Sequence, residues 1–378
     1  MFDVLIVGRG LFGSAAARHV AESGASVVAV GPAVGSTVAA GRQRVYSSHD
    51  DEARLTRPHD RDERWAPHTA RAVADYAALA EASGIDFHEP VGYLMASRPG
   101  GDGLSPDPVE YVRDHGIAEA VWEPGDRRWQ ERWPRIDFPT THAVAFQPGP
   151  AGYIRPKRLI EAQETLTTRS GGELIDDTVI DLRQRDSGFA ATTAGGRTIE
   201  ADRVIVATGA FANMLPLLPE PAGVTVKTEI FILGEVSESD ARELGEYPTV
   251  KHLIDPGDLD DIYMTPPVRF PDGRYCIKMG ANTTLDTWPT ALDGVQRWFE
   301  SETDPEYLPI LGPPLQALWP DVEFLSMRTR PCIVTYTPDG FPLIDEVQPG
   351  LVVATAGNGA GAKGADVWGA MAADLVVG

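Results

Sequence analysis

Gly8, Gly10 and Gly13 stand in the spacing G-x-G-x-x-G directly after a short apolar run, Phe2–Val7. In that setting the first glycine permits a tight turn. The second lets the backbone approach a pyrophosphate, and the third lets a helix sit close to the strand. The helix N-terminus adds free N–H groups and a partial positive charge. Lys278 lies in an apolar stretch, residues 275–280. An unpaired ammonium is costly to bury, so this lysine needs a partner or a task, unless it guards an edge strand. Lys363 closes a run of glycines and alanines that includes Gly357, Gly359 and Gly361, and a helix follows it. A cation there makes an anion site. Arg57 offers a planar fork of donors that matches a carboxylate. Its other reading is a solvated arginine paired with Asp50, Asp51 or Glu52. Cys332 is one of only two cysteines. It is either a nucleophile as its thiolate or a small buried hydrophobe. Cys276, two residues before Lys278 on the same strand face, is its rival for the same pocket.

The elements that must position these residues follow from periodicity and punctuation. Residues 14–22 form an Ala-rich helix and 25–30 a second apolar strand, which completes a βαβ unit of a dinucleotide-binding fold. That second strand ends Val30-Gly31-Pro32, where an acid for a ribose hydroxyl is expected. The pattern predicts helices over 63–83, 154–170 and 365–375, and a loop over 98–108. Strands are expected at 174–183, 188–193, 199–209, 224–236, 261–264, 274–279 and 351–355, with strand, turn and strand over 324–346. Returns to the parallel sheet near both ends and the middle of the chain imply two interleaved domains. The 378 residues carry a net charge of −22, which disfavours nucleic acid and anionic membranes as partners. No apolar run approaches the roughly 18 residues of a membrane span. Two cysteines and a strand beginning at residue 2 lead to the expectation of a cytoplasmic protein without a signal peptide. The histidines show no metal-ligand spacing.

Several segments, in the same order, resemble the FAD-dependent D-amino-acid-oxidase-like family, and within it the monomeric sarcosine oxidase branch. Gly8-Arg9-Gly10-Leu11-Phe12-Gly13 is similar to its pyrophosphate loop. Ser47-Ser48-His49 followed by Arg54-Leu55-Thr56-Arg57 is similar to its Ser-Ser-His…Arg-Ile-x-Arg segment. Ala207-Thr208-Gly209 resembles its Ala-Thr-Gly strand end, and Ile277-Lys278-Met279-Gly280 the strand carrying its oxygen-activating lysine. Cys332 with Thr337-Pro338-Asp339 resembles its flavin-linking segment, and the stretch from Ala356 to Lys363 its late glycine loop. Four positions depart from the pattern: Gly31 for the ribose acid, Asn282 for a histidine, Val334 for an aromatic residue, and a His49-to-Arg54 spacing one residue longer.

The resemblance implies an α/β fold: a Rossmann-like FAD-binding domain (1–85, 145–215 and 325–378) interleaved with an antiparallel-sheet α+β substrate domain (86–144 and 216–324). It implies FAD, attached through Cys332, with Gly8, Gly10, Leu11, Phe12, Gly13, Ser48, Arg54, Thr208, Gly209, Gly357, Gly359, Gly361 and Lys363 around it. Arg57 and Lys363 would hold the substrate carboxylate, Arg54 would lie over the flavin ring, Tyr263 would line the pocket, and Lys278 would serve oxygen. The implied reaction is oxidation of a small secondary or primary amino acid, such as an N-methyl or cyclic imino acid. Hydride passes to flavin N5, an imine leaves, and oxygen yields hydrogen peroxide, all in a monomer. A flavin dehydrogenase using an electron carrier, a non-catalytic FAD-binding subunit and an NAD-dependent dehydrogenase are the alternatives.

Overall fold

Phe2–Val7 and Val27–Gly31 are adjacent parallel strands, joined by the helix Leu11–Glu22. This is a computed structural model, and it describes residues 1–34, 45, 51–100, 107–254 and 259–378. Ser47, Ser48 and His49 therefore lie outside the described residues. The parallel sheet runs Thr198–Val206, Phe2–Val7, Val27–Gly31, Glu173–Asp176, and Leu351–Thr355 joins the far half of Thr198–Val206, also in parallel. Val179–Gln184 and Phe189–Thr193 extend the near half as an antiparallel flap. Both faces of the central strands are covered. Val4, Ile6, Val27 and Ala29 pack on one side, and Leu5, Val7, Val28 and Val30 on the other. That is why these strands read as unbroken apolar runs instead of alternating ones.

A second sheet runs in the order Ser326–Tyr336, Thr225–Val236, Tyr275–Thr283, Leu259–Arg269, Thr249–His252, Tyr93–Ser97, Ala143–Gln147, Ala120–Trp122. Every neighbouring pair is antiparallel except Thr249–His252 with Tyr93–Ser97. Period-two alternation divides its residues. Ile230, Ile232, Ile277 and Met279 face a large core with Leu311, Leu315 and Trp319. Glu229, Phe231 and Cys332 face the other way, toward the parallel sheet. A small sheet of Arg54–Thr56, Gly152–Ile154 and His88–Glu89 lies between the two. Ala143–Gln147 spans the expected domain boundary at 144/145, and Ser326–Tyr336, expected with the parallel sheet, pairs in the antiparallel one.

The helix Asp304–Leu318 has no counterpart among the expected elements, because Pro309, Pro313 and Pro314 break every local helix rule. Tyr307, Leu311, Leu315 and Leu318 are buried against the antiparallel sheet, and that packing outweighs propensity. The loop expected at 98–108 gives way at its end to the helix Pro108–Asp114. The Asp107 carboxylate caps it by accepting the Val109 N–H at 2.8 Å. The single strand expected at 174–183 is two, Glu173–Asp176 and Val179–Gln184, broken at Asp177 and Thr178. Among the described residues no helix is long and apolar enough to cross a membrane.

Candidate functional site

A cavity of about 1200 Å³ runs from the first glycine loop, past the ends of the parallel strands, to the polar face of the antiparallel sheet. Gly8, Gly10, Leu11, Phe12, Thr208, Gly209, Gly357, Gly359, Gly361 and Lys363 all line it. Gly8 has φ of +105°, and a Cβ there would stand 2.4 Å from the Ala207 carbonyl oxygen, so only glycine makes this turn. Gly13 lies behind the cavity wall and not in it. A Cβ at that position would meet the Gly8 carbonyl oxygen at 1.9 Å, which assigns it to close helix–strand packing. The Thr208 hydroxyl is buried with no hydrogen-bond partner, an orphan a bound cofactor would satisfy. Loop, helix N-terminus, orphan hydroxyl and volume fit an extended dinucleotide such as FAD.

The absence of an acid at position 31 has a steric reason. A Cβ at Gly31 would lie 2.6 Å from the Arg9 backbone nitrogen, and the Arg9 side chain runs alongside, donating to the Gly31 carbonyl at 3.4 Å and to Glu164 at 2.7 Å. Arg9 and Gly31 thus line the cavity side by side.

Within the same cavity, Arg57 and Lys363 converge on one carboxylate, that of Asp60. Lys363 forms a close ion pair with it, and the Arg57 guanidinium is 3.8 Å away, 5.4 Å from the Tyr93 ring. Arg57 pairs with neither Asp51 nor Glu52, two of the partners considered from sequence, and the third, Asp50, lies outside the described residues. Asp51 pairs instead with Arg54, and Glu52 with Lys157. Lys363 is 2% exposed. Burial, aided by Arg57, pushes its pKa down to about 7 against the pull of Asp60. Burial favours the neutral form of Asp60, but Lys363 and Arg57 outweigh it and hold the carboxyl below its ordinary range.

The sheet wall contributes Glu229, Phe231, Tyr263, Asn282, Arg330 and Cys332. Tyr263 sits in the wall because Gly280 opposite it lacks a side chain; a Cβ there would meet the ring at 2.2 Å. Lys278 is not in the wall. Its ammonium is one layer behind, 4.8 Å from the Phe231 ring and 5.3 Å from the Tyr263 ring, paired with Asp51 and donating to the Ala53 carbonyl at 3.0 Å. Cys276 does not line the cavity either; it packs with Leu233 and Phe270. Cys332 does line it, and Arg54 donates to its sulfur at 3.2 Å. Sequence reasoning passed over Glu229 and treated Asp51 only as a surface partner. The available signal was alternation: Lys227, Glu229, Phe231 and Leu233 share one face of Thr225–Val236, and two charges on one face of an otherwise apolar strand mark a polar cavity. Lys227 binds Glu229 and Asp286 at 2.8 Å and the Asn282 side-chain oxygen at 2.7 Å, which occupies the residue standing where the resemblance expects histidine.

A parallel dinucleotide-binding sheet facing a polar antiparallel sheet across one cavity defines a flavoprotein oxidoreductase architecture. The chain belongs to the FAD dependent oxidoreductase family, whose pattern it matches over residues 3–375. It is 24% identical to the N-methyl-L-tryptophan oxidase of Yersinia pestis over 226 residues, 58% of this chain and 56% of that protein. The match thus spans little more than half the length of such relatives. Its fold is similar to that of NikD, described as an unusual amino acid oxidase essential for nikkomycin biosynthesis (TM-score 0.78, 18% identity, 100% of this chain and 94% of the other). It is also similar to L-proline dehydrogenase from P. horikoshii (TM-score 0.73, 18% identity, 100% and 93%). Glycine oxidase from Geobacillus kaustophilus shares it as well (TM-score 0.70, 23% identity, 99% and 94%).

Proposed function

We propose that this chain is an FAD-dependent amine oxidase that acts on a small secondary or primary amino acid, an N-methyl or cyclic imino acid, and returns its electrons to oxygen. The observation that carries this reading is the convergence of Arg57 and Lys363 on a single carboxylate in the cavity. Two cations that already hold one carboxylate have the geometry to bind a substrate's. FAD, when bound, supplies the acceptor for a hydride from the substrate C–H bond. Arg57 and Lys363 orient the substrate through its carboxylate. Tyr263 and Phe231 supply an apolar wall that excludes water, and Arg54 presents a fixed cation beside Cys332. The activities for which these relatives are named, on N-methyl-L-tryptophan, glycine and L-proline, support an amino-acid substrate class. The test is anaerobic mixing of the purified yellow protein with N-methyl, cyclic and D-amino acids. Bleaching by at least one carboxylated amine, and by none of the matching decarboxylated amines, is the expected result. A panel that leaves the colour unchanged removes the amine-oxidase reading.

The same reading includes a thioether between Cys332 and the flavin. Its support is that Cys332 is the one cysteine in the cavity wall, since Cys276 is packed away from it. Acid precipitation is expected to leave the yellow colour in the pellet. Cys332→Ser should release it to the supernatant, and Cys276→Ser should not. A colourless wild-type pellet makes Cys332 a packing residue.

A further inference from the structure

Asp51 is fully buried, yet its two oxygens are both committed. Oδ1 accepts the Glu52 backbone N–H at 2.8 Å. Oδ2 is shared by two cations, the Lys278 ammonium and the Arg54 Nε at 2.9 Å. The three residues come from two places, the segment leading into Arg54–Thr56 and the middle of Tyr275–Thr283. Lys278 spends a second proton on the Ala53 carbonyl at 3.0 Å. An ammonium has three donors, so its orientation is set by that one short segment. Arg54 lines the cavity and Lys278 stands one aromatic layer behind it.

We propose that Asp51 is a positioning residue for oxygen reduction: one buried carboxylate holds Lys278 charged beside Arg54, so that a fixed pair of cations stands at the cavity wall and just behind it. The assignment to oxygen rests on the oxidase reading above; the role as shared counter-ion does not. Among the described residues, Asp51 is the one carboxylate paired with Lys278. Glu229, on the neighbouring strand, is engaged by Lys227 at 2.8 Å. Tyr263 and Cys332, the other polar side chains that face Lys278 besides Arg54, are not carboxylates. Arginine keeps its proton in any protein environment. Removing the Asp51 charge therefore leaves Lys278 beside Arg54 without its carboxylate partner, and the lysine is the one that loses its proton. Burial and Arg54 already bring Lys278 down to about 8, with Asp51 opposing them.

The chain has five lysines, Lys157, Lys227, Lys251, Lys278 and Lys363, so lysine-selective 13C labelling yields a spectrum that single substitutions can assign. In Asp51→Asn the Lys278 signal is expected to titrate at least about one pH unit lower than in the wild type, and Asp51→Glu should recover part of that shift. An unchanged midpoint in Asp51→Asn overturns the proposal. The second measurement is stopped-flow reoxidation of protein reduced by light, which needs no amine substrate. Asp51→Asn should slow it by about tenfold at pH 8, and add nothing in a Lys278→Met background. Additive slowing in the double variant, or an unslowed single variant whose lysine has shifted, overturns the role in the oxygen step. Because neither measurement uses an amine, their failure is distinct from a failure of the amine panel.

Discussion

Lys278→Met is expected to slow the reaction of the reduced protein with oxygen by about tenfold to a hundredfold, and to leave reduction by substrate nearly unchanged. The charge on oxygen develops only in the second half-reaction, so a cation that acts on it is silent in the first. In this reading Lys278 would act across one layer of side chains, its ammonium standing 4.8 Å from the Phe231 ring that lines the cavity. In a low-dielectric wall a charge at such a range is still felt strongly. Methionine preserves the length and packing of the buried chain but removes the charge. Stopped-flow measurement of the two half-reactions separates the possibilities. Equal slowing of both would make Lys278 a residue that shapes the substrate pocket. Loss of turnover with oxygen but not with an artificial electron acceptor would support the oxidase over the dehydrogenase.

Arg57→Ala should lower kcat/KM for a carboxylated amine by about tenfold to a hundredfold, the worth of a charge-assisted bidentate contact. FAD content should barely change, because Arg57 sits at the substrate end of the cavity, beside Asp60 and Tyr93. The partner cation adds a pH signature. Lys363, brought down to about 7 by burial and by Arg57, is charged below that pH and neutral above it. KM is therefore expected to rise as the pH climbs through 7, and Lys363→Met should flatten that limb. A variant at Arg57 with unaltered kinetics, or a KM that falls across this range, removes the clamp.

How much of this was legible in the sequence differs by element. The first glycine loop was fully legible, since turn, phosphate approach and helix packing are local demands met within a few residues. Gly8, at φ +105° against Ala207, and Gly13, pressed on Gly8, occupy the two roles their spacing implied. The unbroken apolar runs were legible for the same reason: a strand covered on both faces needs no partner to be recognised. The proline-bearing helix Asp304–Leu318 was not, because its stability lies in the sheet it covers and not in its own residues.

At the site, residue types could be chosen from sequence, but their partners could not. Charge pairing is decided by which side chains the tertiary structure brings within a few ångströms in a buried setting. Residue spacing offered Asp50, Asp51 and Glu52 to Arg57, whereas the fold gives it Asp60, and joins Asp51 to Lys278 across 227 residues of chain. Cys276 stood as a rival to Cys332 for the pocket until the sheet register turned it toward Leu233 and Phe270 and opened Cys332 to the cavity. The sequence by itself determined a dinucleotide-binding fold and a short list of residues able to do chemistry. Only the tertiary structure decided which charges share a counter-ion, because a buried electrostatic network depends on distances that no linear spacing encodes.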